Sequence, residues 1–307
     1  SERPGLAHLA AGHPARRNPA WVVEYGGQLW YDPGNPAVRA LAVEVIGDVA
    51  RRYRVDGIHL DDYFYPYPVP GEAFADHVTF RRYGTGFGSR AQWRRHNINL
   101  LVAEVCAEVR RVRPWAKFGV SPFGIWRNAS SDPEGSPTAG LQAYDDLYAD
   151  SRAWIRRGWL DYVAPQLYWE IGNRAAPYEK LVRWWSRTVS QTSTELYIGQ
   201  AAYLGQTWHD PAEMSRHLAF DRRQQQVSGE LFFHARSLGS RFGARLAGED
   251  FAGPAYPPLP PRIRRLLSMP TTAPTKAAAK KAAEAPGLPP SGWLRREAII
   301  NCPHRQL

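Results

Sequence analysis

The sequence predicts an α/β fold in which parallel strands alternate with crossover helices, and three observations carry that reading. Short apolar runs begin near residues 55, 117, 161, 196 and 230, and helical stripes of ten or more residues separate them. No G-x-G-x-x-G turn or P-loop accompanies them, which weakens a nucleotide-binding version of the fold. Polar and aromatic residues gather instead at the carboxyl ends of several strands. Five strand–helix units fit an open doubly wound sheet, or an eight-stranded barrel whose first three units are absent from the chain.

Residues 1–35 show no sustained periodicity, contain Gly26-Gly27 and read as an irregular opening segment. Asn35-Pro36 then starts a helix, with Asn as N-cap and Pro at the first helical position. Val38, Leu41, Ala42, Val45 and Val49 continue it at helical spacing to Tyr53. The first strand follows at 55–61, with Ile58 and Leu60 on an apolar face and His59 and Asp61 on a polar one. Residues 66–92 form a Tyr-, Gly- and Pro-rich excursion of the kind that builds lids or binding loops.

A second long helix begins at Trp93 and is stopped by Pro114. Strands at 117–122, 161–168, 196–203 and 230–236 follow, with helices at 143–157, at 178–190 and from Asp210-Pro211 to about Gln226. From about residue 254 the composition turns Pro-, Ala- and Lys-rich, so 254–307 is expected to be a largely disordered tail without tertiary contacts beyond about 270. A helical run at 277–285 is marginal by length alone, and Trp293 and Ile299-Ile300 are the tail residues open to docking elsewhere. The domain reading is 1–35, a partial barrel or sheet domain at 36–253, and the tail.

The chain has 307 residues, 44% of them hydrophobic, enough to bury a sizeable core. Its net charge of +10 is concentrated after residue 254, where nine Lys/Arg face two Asp/Glu. The remainder carries 30 basic and 27 acidic residues, which is no basic nucleic-acid surface. The tail suits weak contact with anionic polymers. No apolar run approaches the ~20 residues of a transmembrane helix. No signal peptide is visible, and the chain starts at Ser1 rather than Met. Cys106 and Cys302 make no disulfide framework, and Cys106 reads as a small buried hydrophobe. Twelve Trp and fifteen Tyr favour flat amphipathic ligands such as carbohydrates.

The chemistry centres on Val55–Pro66. Strand alternation makes Asp61 the inward-facing acid and puts Asp62 on the rim. Tyr63, Tyr65 and Tyr67 supply faces for stacking on sugar rings. His59 shares the face of Asp61, either tuning its pKa or as a satisfied inward histidine. Glycoside hydrolysis uses two carboxyls, and Asp62 and Glu170 are the nearest candidates for the second. Glu170 reads equally as a solvated loop acid.

Ser121, Gln166 and Tyr168 are neutral groups at strand ends, suited to hydroxyl or acetamido groups. The sequence offers no base to make Ser121 a nucleophile. Trp126, Trp169 and Tyr203 fit sugar platforms or core positions. Arg94, Arg95 and Asn97 read as structural. A metal-dependent hydrolase using His59, Asp61 and Asp62 is an alternative, but no H-x-H or H-E-x-x-H pair supports it, and His209, His217 and His234 lie far along the chain. No metal or other cofactor is expected.

Five motifs in order, "VDGIHLDDYFYPYP", "WRRHNINLLV", "FGVSPFGIWRN", "DYVAPQLYW" and "YIGQAAYLG", resemble the bacterial glycosyl-hydrolase-like family ten between about Asn18 and Phe251. The resemblance implies a (β/α)8 TIM-barrel type fold, of which this chain holds about five units, strands four to eight. The segment from His13 to Tyr25 resembles the family's stretch that follows the first three strands. The resemblance further implies a bacterial, extracytoplasmic glycosidase whose partner is a polysaccharide, with peptidoglycan glycan strands as the substrate. The strand is also similar to the D-G-x-D-x-D-x-E strand of family eighteen chitinases. Asp61 falls on its last Asp, His59 replaces an Asp, and Tyr63 stands in place of the acid Glu, so the chitinase mechanism does not carry over unchanged. A non-catalytic glycan-binding or scaffolding fragment is the alternative.

Overall fold

The computed structural model describes residues 5–205, 207–239 and 241–253, together with the backbone of Ile300–Asn301. A short helix α1 (Pro14–Arg17) leads into an antiparallel hairpin of β1 (Val22–Tyr25) and β2 (Gln28–Tyr31). Gly26 and Gly27 join the strands at φ 60° and 71°, the two positive values that a tight two-residue hairpin turn needs. The hairpin corrects the reading of 1–35 as irregular. The signal was present, as two β-prone tetrads flanking Gly-Gly, but each is too short to show a period.

Helix α2 (Pro36–Arg52) is capped as the sequence predicts, with the Asn35 side chain accepting from Ala37 N–H at 3.0 Å. Strand β3 (Gly57–Leu60) follows. The excursion after it holds α3 (His77–Tyr83) rather than only loop. Helix α4 (Arg90–Val112) begins three residues before Trp93, because Ser89 caps it by accepting from Gln92 N–H. Strand β4 (Lys117–Val120) precedes two short helices, α5 (Ala143–Asp146) and α6 (Ser151–Arg156), which replace the single stretch expected at 143–157. The chain breaks between them where Tyr148 takes φ 56°.

Strand β5 is only Tyr162–Val163, since Pro165 cannot donate to a ladder; isolated bridges join Gln166 to Phe123 and Gly199 beyond it. Then come α7 (Tyr178–Val189), β6 (Glu195–Gln200), α8 (Glu213–Asp221) and β7 (Val227–Phe232). A register shift at Leu196/Tyr197 lets Val227 pair with Leu196, so β7 starts before residue 230. Helices α9 (Ala235–Leu238) and α10 (Arg241–Glu249) close the described body.

Strands β3 to β7 are parallel neighbours in sequence order, the α/β arrangement predicted. Ile58, Phe118, Val163, Leu196 and Ile198 are buried in one cluster with Ile98 and Val102 of α4 and Leu181 and Trp185 of α7. Beside β3 lies β8 (Ile300–Asn301), pairing Ile58 with Ile300 and His59 with Asn301. This departs from the expectation of a tail without tertiary contacts: the edge of β3 presents N–H and C=O groups for pairing. The remaining tail residues, including 277–285 and Cys302, lie outside the described residues. Cys106 is buried, and among the described residues no helix is long and apolar enough to cross a membrane.

Candidate active site

The carboxyl ends of the parallel strands surround a cleft of about 620 Å³. His59 and Asp61 reach it from β3, Ser121 from β4 and Gln166 from the end of β5, with Gly199 of β6 and Leu231 of β7 completing the wall. Tyr63, Tyr67, Tyr168, Trp169, Tyr203 and Phe233 supply aromatic surface.

The floor is built across three strands. Gly119 pairs with both His59 and Tyr162, and its missing side chain leaves room for the Tyr162 ring. That ring stacks on the His59 imidazole at 5.8 Å, and its hydroxyl lies 2.9 Å from Nδ1. His59 Nε2 lies 2.9 Å from Ser121 Oγ. Burial pushes the imidazole down to about 4, so it is neutral near pH 7, one nitrogen donating and the other accepting. Ser121 therefore has the histidine neighbour that the sequence did not reveal, but this imidazole is too weak a base for nucleophile activation near neutrality. Ser121 Oγ also bonds the Leu60 carbonyl at 3.3 Å.

Asp61 is partly exposed and faces the cleft. Its Oδ1 accepts from Gln166 Nε2 at 2.7 Å and from Asp62 N–H at 2.9 Å. Asp62 is not on the rim: it is 2% exposed, and its Oδ2 accepts from the Tyr67 hydroxyl. Its Oδ1 has no partner. Burial pushes the Asp62 carboxyl up to about 7; the Tyr67 hydrogen bond opposes that, and the neighbouring Asp61 adds to it. The reason for the misplacement is local. The strand ends at Leu60 and the chain turns, with Phe64 N–H bonding the Asp62 carbonyl at 2.9 Å, so alternation no longer applies.

Tyr65 departs from the sequence reading, and Trp126 and Glu170 take the non-site alternative that it left open. Tyr65 is 1% exposed, edge-on to Phe74 and Tyr148, with the Arg94 guanidinium over its ring, and it is no sugar platform. Trp126 is buried, donates to Asp150 Oδ1 at 3.0 Å and stacks on Trp184. Glu170 lies outside the cleft lining, where its Oε1 accepts from His209 N–H at 3.0 Å. Arg94 makes a two-pronged pair with Asp76 (2.6 and 2.7 Å), a structural role.

The sequence profile described as "Glycosyl hydrolase-like 10" matches residues 2–209. The chain belongs to that family. It is 45% identical over 240 residues to "Glycosyl hydrolase YngK" of Bacillus subtilis (strain 168), covering 76% of this chain and 47% of that protein. It is 46% identical over 183 residues to "Glycosyl hydrolase DigH" of Escherichia coli (strain K12), covering 60% and 42%. The chain thus spans under half the length of these relatives. A crystal structure of bee venom hyaluronidase is similar at a TM-score of 0.35 and 13% identity over 71% of this chain and 66% of that one, too distant to bear on the fold.

In this glycosyl hydrolase-like 10 chain, sequence reasoning missed Phe123, Phe233 and His234 of the cleft lining. Phe123 follows a strand end in a Ser-Pro-Phe run and carried a readable aromatic signal. Phe233 and His234 fell inside a strand drawn too long at 230–236, which hid that they sit just past its end. Among the described residues no three His, Cys, Asp or Glu side chains are grouped to hold a metal. His217 is buried instead against Tyr178, with ring centroids 3.6 Å apart.

Proposed function

We propose that this chain forms the carboxylate-bearing, sugar-binding part of a (β/α)8-type glycosidase that cleaves peptidoglycan glycan strands or a related amino-sugar polysaccharide outside the cytoplasm. One observation carries the reading: Asp61, oriented by two donors on Oδ1, stands in a cleft walled by Tyr63, Tyr168, Trp169 and Tyr203. Aromatic faces take the apolar faces of sugar rings, and the carboxylate stabilises positive charge developing at the anomeric carbon. His59 and Ser121 supply neutral hydrogen-bonding groups beneath it. Burial keeps the Asp62 carboxyl largely protonated below pH 7.

Among the described residues Asp61 is the one carboxylate lining the cleft, which favours a second reading, a glycan-binding module without turnover. Incubation with peptide-free glycan strands separates the two. New reducing ends support the glycosidase; saturable binding without product supports the binding module.

A further inference from the structure

We propose that Gln166 selects N-acetylated sugars by accepting the acetamido N–H on its side-chain carbonyl, an inference that rests on the glycan-binding reading above. The orientation of this amide is fixed by its neighbours. Its Nε2 lies 2.7 Å from Asp61 Oδ1 and 3.0 Å from the backbone carbonyl of Ser121. A carbonyl oxygen only accepts, so the atom facing it must be the amide nitrogen. Asp61 Oδ1 already accepts from Asp62 N–H and is likewise met as an acceptor. Both hydrogens of Nε2 are therefore committed, one to each oxygen.

What remains is Oε1. Gln166 is partly exposed and lines the cleft, and Oε1 takes no hydrogen bond from the described residues and is not among the buried unpartnered atoms. It cannot donate, so only a donor on the ligand satisfies it. Phe123 is bridged to Gln166 through the backbone and lines the same cleft, and its ring meets Trp169 edge to face at 5.6 Å. An acceptor sharing a cleft with an apolar aromatic corner matches an acetamido group, whose N–H donates and whose methyl group packs. A sugar hydroxyl in the same place donates too but leaves the corner unfilled.

The test is calorimetric titration of the protein with chitotetraose, which carries 2-acetamido groups, and with cellotetraose, which has hydroxyls there. The wild-type protein is expected to prefer chitotetraose by about four-fold or more, the scale of burying one methyl group. Gln166→Met, of similar volume, is expected to weaken chitotetraose more than cellotetraose, because a sugar hydroxyl can turn to another acceptor and a fixed acetamido N–H cannot. Asp61→Asn keeps an acceptor for Nε2 and should retain the preference. Equal affinity of the wild-type protein for both ligands overturns the inference whether or not the variant folds, as does an equal loss for both ligands in Gln166→Met; in either case glycan binding stands. Binding of neither ligand by the wild-type protein overturns the glycan reading as well.

Discussion

The backbone N–H of Asp62 donates to Oδ1 of Asp61 at 2.9 Å, and these consecutive acids have opposite surroundings. Asp61 faces the cleft, whereas Asp62 is buried beneath Tyr67. Contact with a sugar is thus open to Asp61 and closed to Asp62. Asp61→Asn keeps an oxygen for both donors and should leave the fold intact. Release of reducing ends from peptide-free glycan strands should fall by about 100-fold or more, the scale of a lost acid–base or charge-stabilising group. Asp62→Asn should cost less. Normal turnover by Asp61→Asn would move the reacting carboxyl elsewhere.

Asp62 should also leave a mark on stability. Its carboxyl is raised from 3.8 to about 7 by burial, so between those values the folded protein holds a proton that the unfolded chain has released. Stability therefore falls as pH rises from about 4 to 7, and the loss is complete above that window. Asp221, buried beside Tyr178 and Gln200 and also raised to about 7 by burial, acts in the same direction. Melting temperatures from pH 4 to 8 should fall less steeply for Asp62→Asn than for the wild type. An unchanged slope would mean that Asp62 does not hold its proton in the folded state.

Much of this architecture was legible because it follows local rules. The Asn35 cap, the helix-stopping Pro114 and the strands at 57–60 and 117–120 all follow from propensity and period. What escaped depends on contacts distant in sequence, or on rules extended past their range. Trp126 stacks on Trp184, 58 positions away, and nothing near either residue signals it. Asp62 was assigned by alternation beyond the last strand residue, Leu60, where the backbone has already turned. The His59–Ser121 contact joins two strands, so the sequence alone showed neither partner for the other.

The burial of Tyr65 gives a direct contrast with Tyr203. The Tyr65 hydroxyl is buried without a partner, so Tyr65→Phe removes only an unsatisfied group. Stability should stay level or rise by up to about 1 kcal/mol, and glycan affinity should not change. Tyr203 is 44% exposed at the cleft and edge-on to Tyr168 at 6.0 Å. Tyr203→Ala should weaken chitotetraose binding about five-fold or more with little effect on unfolding. Equal binding losses in both variants would put Tyr65 back at the mouth.

The floor of the cleft rests on an absence of side chain at Gly119. A Cβ built there would lie 1.9 Å from Cε2 and Cζ of Tyr162, far inside contact distance, and an aromatic ring cannot yield as a flexible chain end does. Gly119→Ala must therefore drive Tyr162 off β4. The ring would lose its stack on His59 and its edge contact with Tyr197 at 5.5 Å, and the hydroxyl would lose Nδ1. Overpacking of this kind costs about 1–3 kcal/mol, and urea unfolding should show that loss as a lower midpoint. The double variant Gly119→Ala, Tyr162→Leu relieves the clash and should recover part of the loss. His59 would still lack its Nδ1 partner there, so glycan affinity should stay reduced even as stability returns. If Gly119→Ala alone unfolds at the wild-type midpoint, the Tyr162 ring does not lie over β4, and His59 is held by other means.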